Sequence, residues 1–490
     1  MTQVKKLMKM AETAARPLPS GREYGKNALP RILPRSEHTI SRRLLNPNAV
    51  KALYRLNDNG FTAYLVGGCV RDLLLGREPK DFDIATSATP NQVKRLFRNC
   101  RLVGRRFRLA HLHFNDGIIE VATFRANAAE SAGDEEGDAA ASLENHRHPQ
   151  VVRDEEGMIL RDNLFGSPEE DAWRRDFTVN ALCYNIADFS LIDYVGGLDD
   201  LQRGVIRTIG DPWQRFTEDP VRMIRAIRFT AILGFTVEEN SWQALAELAP
   251  TIGRAAPARL YEEMLKLFLS GEGERTYQLL RNCGLFTYLL PPLASWLSAE
   301  HEGFPHVWLG KALEWADQQI ADGVTISSPL LMALLFGQYL SEEAERLRGR
   351  KESFQPAMDR AIATLLEELA PVVMVPNRIV VQMRDILACS QRLRTIPGRR
   401  AQAVVARPNF GDTLQYLRFR SSVEPEDDRI VSWWERLAAT QPMPTTPHTA
   451  PTTDDQPRRQ RRPRRRRKPH APVIATPEGG LSHEHAPPTR

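Results

Sequence analysis

The apolar positions of this chain follow a helical period and a strand period in turn. "NPNAVKALYRLNDNG" reads as an amphipathic helix: Asn46 can cap it, Pro47 suits its first turn, and Asn59-Gly60 ends it. "TAYLVGG" reads as a buried strand, "CVRDLLLG" as a short helix ending at Gly76, "DFDIAT" as a second strand and "PNQVKRLFRNC" as a helix opened by Pro90. "RLAHLHFNDGIIEVATF" alternates and turns at Asn115-Asp116-Gly117, which predicts a hairpin. Residues 126–156 are small, acidic and without period, and read as a flexible surface insertion. Structure resumes with "DAWRRDFTVNALCYNIADFSLIDYVGG". From about Asp211 the patterns are helical, through "PVRMIRAIRFTAIL", "LYEEMLKLFLS" and "MDRAIATLLEELA" to "DRIVSWWERLAA". The expected class is α+β: a small mixed sheet with helices, then an all-helical region. The expected segments are a basic arm over 1–45, a head domain over 46–210, a helical neck over 211–290, a helical body over 291–440 and a disordered tail over 441–490.

A chain of 490 residues with 42% hydrophobic and 26% charged content suits a water-soluble protein of more than one domain. No apolar run is long enough to span a membrane, and the N-terminus lacks the apolar stretch of a secretion signal. The five cysteines are far apart and form no C-x-x-C, which predicts reduced thiols, a cytoplasmic location and no zinc site. Charge is unevenly placed. Arg458, Arg459, Arg461, Arg462, Arg464, Arg465, Arg466, Arg467 and Lys468 form a basic run without an acid, and with those nine cations set aside the net charge of +5 becomes −4. Arginines in such a run neutralise phosphates and release counterions, so the tail is expected to grip RNA without regard to sequence. A solubility tail or a docking peptide for an acidic protein would have the same composition.

The candidate chemistry begins at "KDFDIATSAT". On a strand, residues two apart share a face, so Asp81 and Asp83 would point outward together while Phe82 and Ile84 face the core. Two carboxylates so close repel, and a hard divalent cation removes the repulsion. A solvated strand end would also carry such a pair. The neighbours decide. Just upstream, a strand ends at Gly67-Gly68 and a helix begins at once, with Arg71 one turn in. Glycine allows close backbone approach, and a helix start attracts anions. A phosphate cradle beside a carboxylate metal site suits nucleotidyl transfer: a hydroxyl attacks an α-phosphate in line and pyrophosphate leaves.

Two further segments bear on this. In "RRDFTVNALCYN", Asp176 and Asn180 are four apart and would share a helix face, with Arg174 and Arg175 adding positive charge. Glu120, on the hairpin strand, is another candidate for a third carboxylate; a salt bridge on the strand face is its plainer role. In "EDPVRMIRAIRF", Asp219-Pro220 is an N-cap and first-turn pair, and Arg222, Arg225 and Arg228 recur every three residues along one side of the helix. Asp219 accepts and Arg222 donates, so the pair can also read a base edge.

"YLVGGCVRDLLLGREPKDFDIATSATP", "RRDFTVNALCYN" and "EDPVRMIRAIRF", in that order, resemble the three motifs shared by bacterial poly(A) polymerases and CCA-adding tRNA nucleotidyltransferases, over about residues 35 to 290. The resemblance implies a nucleotidyltransferase palm followed by helical neck and body. It implies Mg²⁺, with Mn²⁺ as a substitute, at Asp81 and Asp83, and Asp176 and Asn180 at the nucleotide sugar. It implies that Gly67, Gly68, Arg71, Asp219, Arg222 and Arg228 bind the nucleotide, Asp219 and Arg222 at the base. "RNCRLVGRRFRLAHLHF", "RPNFGDTLQYLRFR" and "IVSWWERL" resemble the poly(A) polymerase branch. The expected activity is therefore template-independent addition of AMP from ATP to RNA 3′-OH ends, with RNA-decay or RNA-chaperone proteins as partners. CCA addition, and RNA binding without catalysis, are the alternatives.

Overall fold

Asn46 caps α1 (Pro47–Asp58) as its sequence predicts: its Oδ1 accepts from the amides of Asn48 and Ala49 at 2.8 and 3.2 Å. The helix lays Ala49, Leu53 and Leu56 onto a sheet core with Leu65, Val70, Ile84, Val121 and Tyr184. The computed structural model describes residues 29–104, 108–126, 152–153, 159–161, 165–298, 307–394, 401–423 and 428–440. The N-terminal arm up to residue 28, most of the acidic insertion and the arginine-rich tail lie outside the described residues.

The sheet has eight strands: β1 (Arg31–Leu33), β2 (Ala63–Val66), β3 (Asp83–Thr86), β4 (Cys100–Val103), β5 (Leu109–Phe114), β6 (Gly117–Thr123), β7 (Cys183–Asn185) and β8 (Leu191–Asp193). Their order is β1-β8-β7-β2-β3-β6-β5-β4. Neighbours are antiparallel except β3 and β6, which run parallel with Asp83 opposite Glu120. Between β2 and β3 runs α2 (Gly68–Leu74); α3 (Pro90–Leu96) follows β3. The predicted hairpin forms β5 and β6, with Phe114 paired to Gly117. Alternation sends Leu65, Ile84 and Tyr184 to one face and Val66, Ala85 and Cys183 to the other.

The remaining helices of this half of the chain are α4 (Pro168–Trp173), α5 (Gly197–Arg203), α6 (Pro212–Glu218), α7 (Val221–Leu233), α8 (Glu239–Leu248) and α9 (Pro257–Phe268). Ile224 and Ile227 of α7, Leu260, Met264 and Leu267 of α9 and Leu330 to Phe336 of the long helix Ser328–Leu347 share one continuous core. Helices Phe410–Val423 and Asp428–Ala439 close a smaller cluster around the fully buried Trp434.

Three local expectations are corrected. The paired part of β3 starts at Asp83, so Asp81 and Phe82 precede the strand, although Phe82 still packs into the core. "RRDFTVNALCYN" is not one helix. Thr178–Asn180 form a single 3₁₀ turn and Cys183–Asn185 continue as β7, because pairing with β2 outcompetes the local helical pattern. Within the region read as helical, Gly234 at φ 75° reverses the chain, and Thr236–Val237 pair in parallel with Val205–Ile206. The five cysteines are all free and buried. Among the described residues no helix is long and apolar enough to cross a membrane.

Candidate active site

Parallel pairing of β3 with β6 puts Asp83 directly beside Glu120, on the face opposite Ile84 and Val121. Asp81 stands at the entrance to β3, exposed, and its charge acts on both. Burial and the negative charge of Glu120 push the Asp83 carboxyl up to about 6, against the pull of Arg175. Glu120 is raised by burial and by Asp81, and Lys266 of α9 opposes the rise. His111 lies across the hairpin, Nε2 3.3 Å from Glu120. Asp83 and Glu120, both raised, with Asp81 beside them form an oxygen-rich set that fits a hard divalent cation. Among the described residues no three such side chains lie close enough to enclose an ion alone. An ion there would draw its remaining ligands from a bound phosphate.

Next to the carboxylates is the strand-to-helix turn. Gly67 has φ 79°, a conformation that disfavours other side chains, and a Cβ there would come within 3.1 Å of an Arg175 guanidinium nitrogen. Its amide donates to the Leu182 carbonyl at 3.1 Å. Arg71, buried one turn into α2, donates to Asn180 Oδ1 at 2.5 Å and to Asp72 at 2.9 Å. Asn180 in turn donates to Asp176 at 3.3 Å, so the 3₁₀ turn still brings these two together. Asp171 of α4 holds Arg174 at 3.1 Å and Arg175 at 2.9 Å, aiming the second guanidinium towards Gly67 and Asp83.

Asp176 is placed differently from the other acids. Its carboxylate takes a fork from Arg225 at 2.8 and 2.7 Å and the Phe177 amide at 2.9 Å. Although burial opposes ionisation, Arg225 and these hydrogen bonds hold its pKa at about 2. Of the two candidates for a third carboxylate, Glu120 joins Asp81 and Asp83, and Asp176 ties the sheet to α7. Arg71, Arg225 and Arg228 converge on the ring of Phe229, 5.1, 5.2 and 4.7 Å from its centroid. Three guanidiniums share this space because each faces an acid: Asp72, Asp176 and Glu263, the last 3.6 Å from Arg228. The result is a cationic wall adjoining the carboxylates, suited to a polyphosphate.

Just before α7, the Asp219 carboxylate faces Arg259 rather than the Arg222 side chain, while the Arg222 amide donates to the Asp219 carbonyl at 3.0 Å. Arg259 of α9 forks onto both Asp219 oxygens at 2.7 and 2.8 Å, and the Val221 amide reaches Asp219 at 3.3 Å. Arg222 donates to the Arg215 carbonyl at 2.9 Å and lies 3.4 Å from Glu218. Arg215, buried, donates to the Arg174 and Arg175 carbonyls and holds Glu218 at 2.8 Å. Sequence reasoning missed Asp171, Phe229, Arg259 and Lys266 altogether. Asp171 has a readable signal, since it lies three and four residues before the arginines it holds. Arg259 is forty residues from Asp219, and no local pattern marks such a pair. The cations placed on the tail lie outside the described residues.

Comparison with known proteins supplies independent findings. Residues 63–207 match the Poly A polymerase head domain, 234–297 the probable RNA and SrmB-binding site of polymerase A, and 350–468 the polymerase A arginine-rich C-terminus. The chain is 42% identical over 414 residues to Poly(A) polymerase I of Salmonella typhi, covering 84% of this chain and 86% of that protein. A CCA-adding enzyme of Leuconostoc mesenteroides is 36% identical over 252 residues, 51% of this chain and 57% of that one. The solved Bacillus stearothermophilus CCA-adding enzyme in complex with CTP aligns at a TM-score of 0.52 and 26% identity, over 81% of this chain and 82% of that one.

Proposed function

The chain belongs to the poly(A) polymerase family, and from that premise we propose that it adds AMP from ATP to the 3′-OH of RNA without a template. The carrying observation is the register that sets Asp83 beside Glu120, with Asp81 at the strand entrance and the Gly67–Arg175 turn next to them. ATP lies with its triphosphate along Arg71, Arg175 and Arg228, and Asp176 and Asn180 face its sugar. Asp219 and Arg222 meet the adenine. For Arg222 this means exchanging the Arg215 carbonyl for the base.

At phosphorus the reaction forms one bond and breaks one. The RNA 3′-oxygen bonds to the α-phosphorus, the α–β bridging oxygen departs with pyrophosphate, and the hydroxyl proton passes to a carboxylate of the Asp81–Asp83–Glu120 set. Asp81 and Asp83 would hold Mg²⁺, which would supply charge neutralisation at the α-phosphate. The side chains do the positioning: Arg71 and Arg228 hold the phosphates from one side, and Gly67 lets them approach the backbone.

The test is incubation of the protein and Mg²⁺ with a 3′-OH RNA and each nucleoside triphosphate singly, reading product lengths. Long products with ATP alone are expected. With a truncated tRNA as the RNA, addition that stops after two cytidines with CTP alone would instead indicate CCA synthesis. No extension with any nucleotide would leave an RNA-binding protein without catalysis.

A further inference from the structure

A second cationic cavity lies on the other face of the sheet, remote in role from the carboxylates. It has a volume of about 600 Å³ and is lined by Arg35, Ser41, Arg42, Arg43, Tyr184 and Phe189. That volume is within the range of small-ligand sites, roughly 300–1,000 Å³. Tyr184 belongs to the core on the α1 side, with Leu65, Ile84 and Val121, whereas alternation turns Asp83 and Glu120 to the opposite face. This cavity is therefore separate from the cradle of Gly67 and Arg71.

Three observations indicate a ligand. First, Tyr184 is fully buried, yet its hydroxyl has no hydrogen-bond partner among the described residues. A buried unpaired hydroxyl is costly, and a ligand oxygen would satisfy it. Arg35 and Arg42 are the cations whose charge reaches that hydroxyl. Second, the rim concentrates three arginines, all exposed, in a chain whose charge outside its basic tail run is negative. Arg42 is steadied over the Tyr54 ring, 5.3 Å from its centroid, and Arg35 by the His38 carbonyl at 3.0 Å. Third, Phe189 sits at φ 60° and, among the described residues, is the sole non-glycine residue with positive φ. Such strain in a bulky residue persists where the surroundings impose it, often at binding sites. Here His38 donates from Nε2 to the Phe189 carbonyl at 2.8 Å, since a carbonyl can only accept, and its ring meets Tyr184 edge-on at 5.9 Å.

We propose that this cavity binds the phosphate of a nucleotide, with Arg35, Arg42 and Ser41 on the phosphate oxygens, the Tyr184 hydroxyl donating to one of them, and the base against Phe189 and an arginine plane. Guanidinium and aromatic surfaces together favour a nucleotide over a bare inorganic anion. The phosphate has two sources, a free mononucleotide or a position along an RNA strand whose end is at the carboxylates.

The test titrates the full-length protein calorimetrically with AMP, with inorganic phosphate and with hexa-adenylate. The proteins are wild type, the Arg35→Ala/Arg42→Ala double variant and Tyr184→Phe. The phenylalanine variant keeps the ring in the core and removes only the hydroxyl. A binding event present in wild type and weakened about tenfold or more in both variants is expected, with AMP incorporation at saturating RNA unchanged. Loss with AMP and phosphate alone assigns a free nucleotide; loss with hexa-adenylate assigns a strand phosphate. Titrations that are the same for all three proteins, or a loss accompanied by an equal loss of incorporation, would overturn the proposal.

Discussion

Asp83 illustrates how burying a carboxyl beside another acid costs stability. Its carboxyl is displaced from 3.8 to about 6, so ionising it at neutral pH opposes folding. The native state keeps its proton longer than the unfolded chain, so this group's stabilising contribution falls as pH rises from about 4 to 6. Asp83→Asn removes the charge and keeps the shape. Without divalent ions at pH 7.5 its melting temperature is expected to exceed wild type by about 2 °C or more, the displacement being equivalent to up to about 3 kcal/mol. Mg²⁺ should stabilise wild type and leave Asp83→Asn unmoved; a variant less stable than wild type without ions would contradict this reading. The proposed contact of Asp219 and Arg222 with the base is tested at the same scale. Arg222→Ala or Asp219→Ala should lower the preference for ATP over CTP and UTP in single-nucleotide competition. A lower melting point with unchanged preference would reduce Asp219 to an anchor for Arg259 and the start of α7. The residues of the strand pair were legible because alternation has period two and needs only neighbours. The partner of Asp176 was not, since Arg225 is 49 positions away.

Among elements, the link between the sheet and α7 rests on an enclosed ion pair. Asp176 and Arg225 are both largely enclosed, and removing one partner leaves the other charge unpaired, a loss of about 3–5 kcal/mol. Asp176→Asn should therefore destabilise the fold at pH 7. Because the native pKa is depressed to about 2, the wild-type advantage is present above about 4 and disappears as pH falls through about 2. Denaturant midpoints of both proteins between pH 3 and 7 check this; parallel curves would show that the pair contributes nothing through charge. The helices capped by their own sequence, such as α1 behind Asn46, were readable from local signals. β7 was not. Its residues become a strand only when β2 supplies the ladder, and that pairing spans more than a hundred residues.

At the scale of the whole molecule, the α+β class and the order of motifs were legible, and the adjacency of β3 and β6 that joins Glu120 to the aspartates was not. Parallel pairing leaves no turn to read. The arginine-rich tail is tested as a unit. Truncation after about Gln441 removes the basic run from Arg458 to Lys468 and none of the site residues. If half of those nine cations touch phosphates, the slope of log affinity against log salt should flatten by roughly 3 to 4. Anisotropy over a salt series measures it, and equal slopes would favour a docking peptide. The most direct check of the whole account is incorporation of radiolabelled AMP into a saturating 3′-OH RNA with Mg²⁺, comparing wild type, Asp81→Asn and Asp83→Asn at matched RNA occupancy. The account predicts extension by wild type and a loss of about a thousandfold or more in each variant with RNA affinity retained. Incorporation by either variant near the wild-type rate would contradict it.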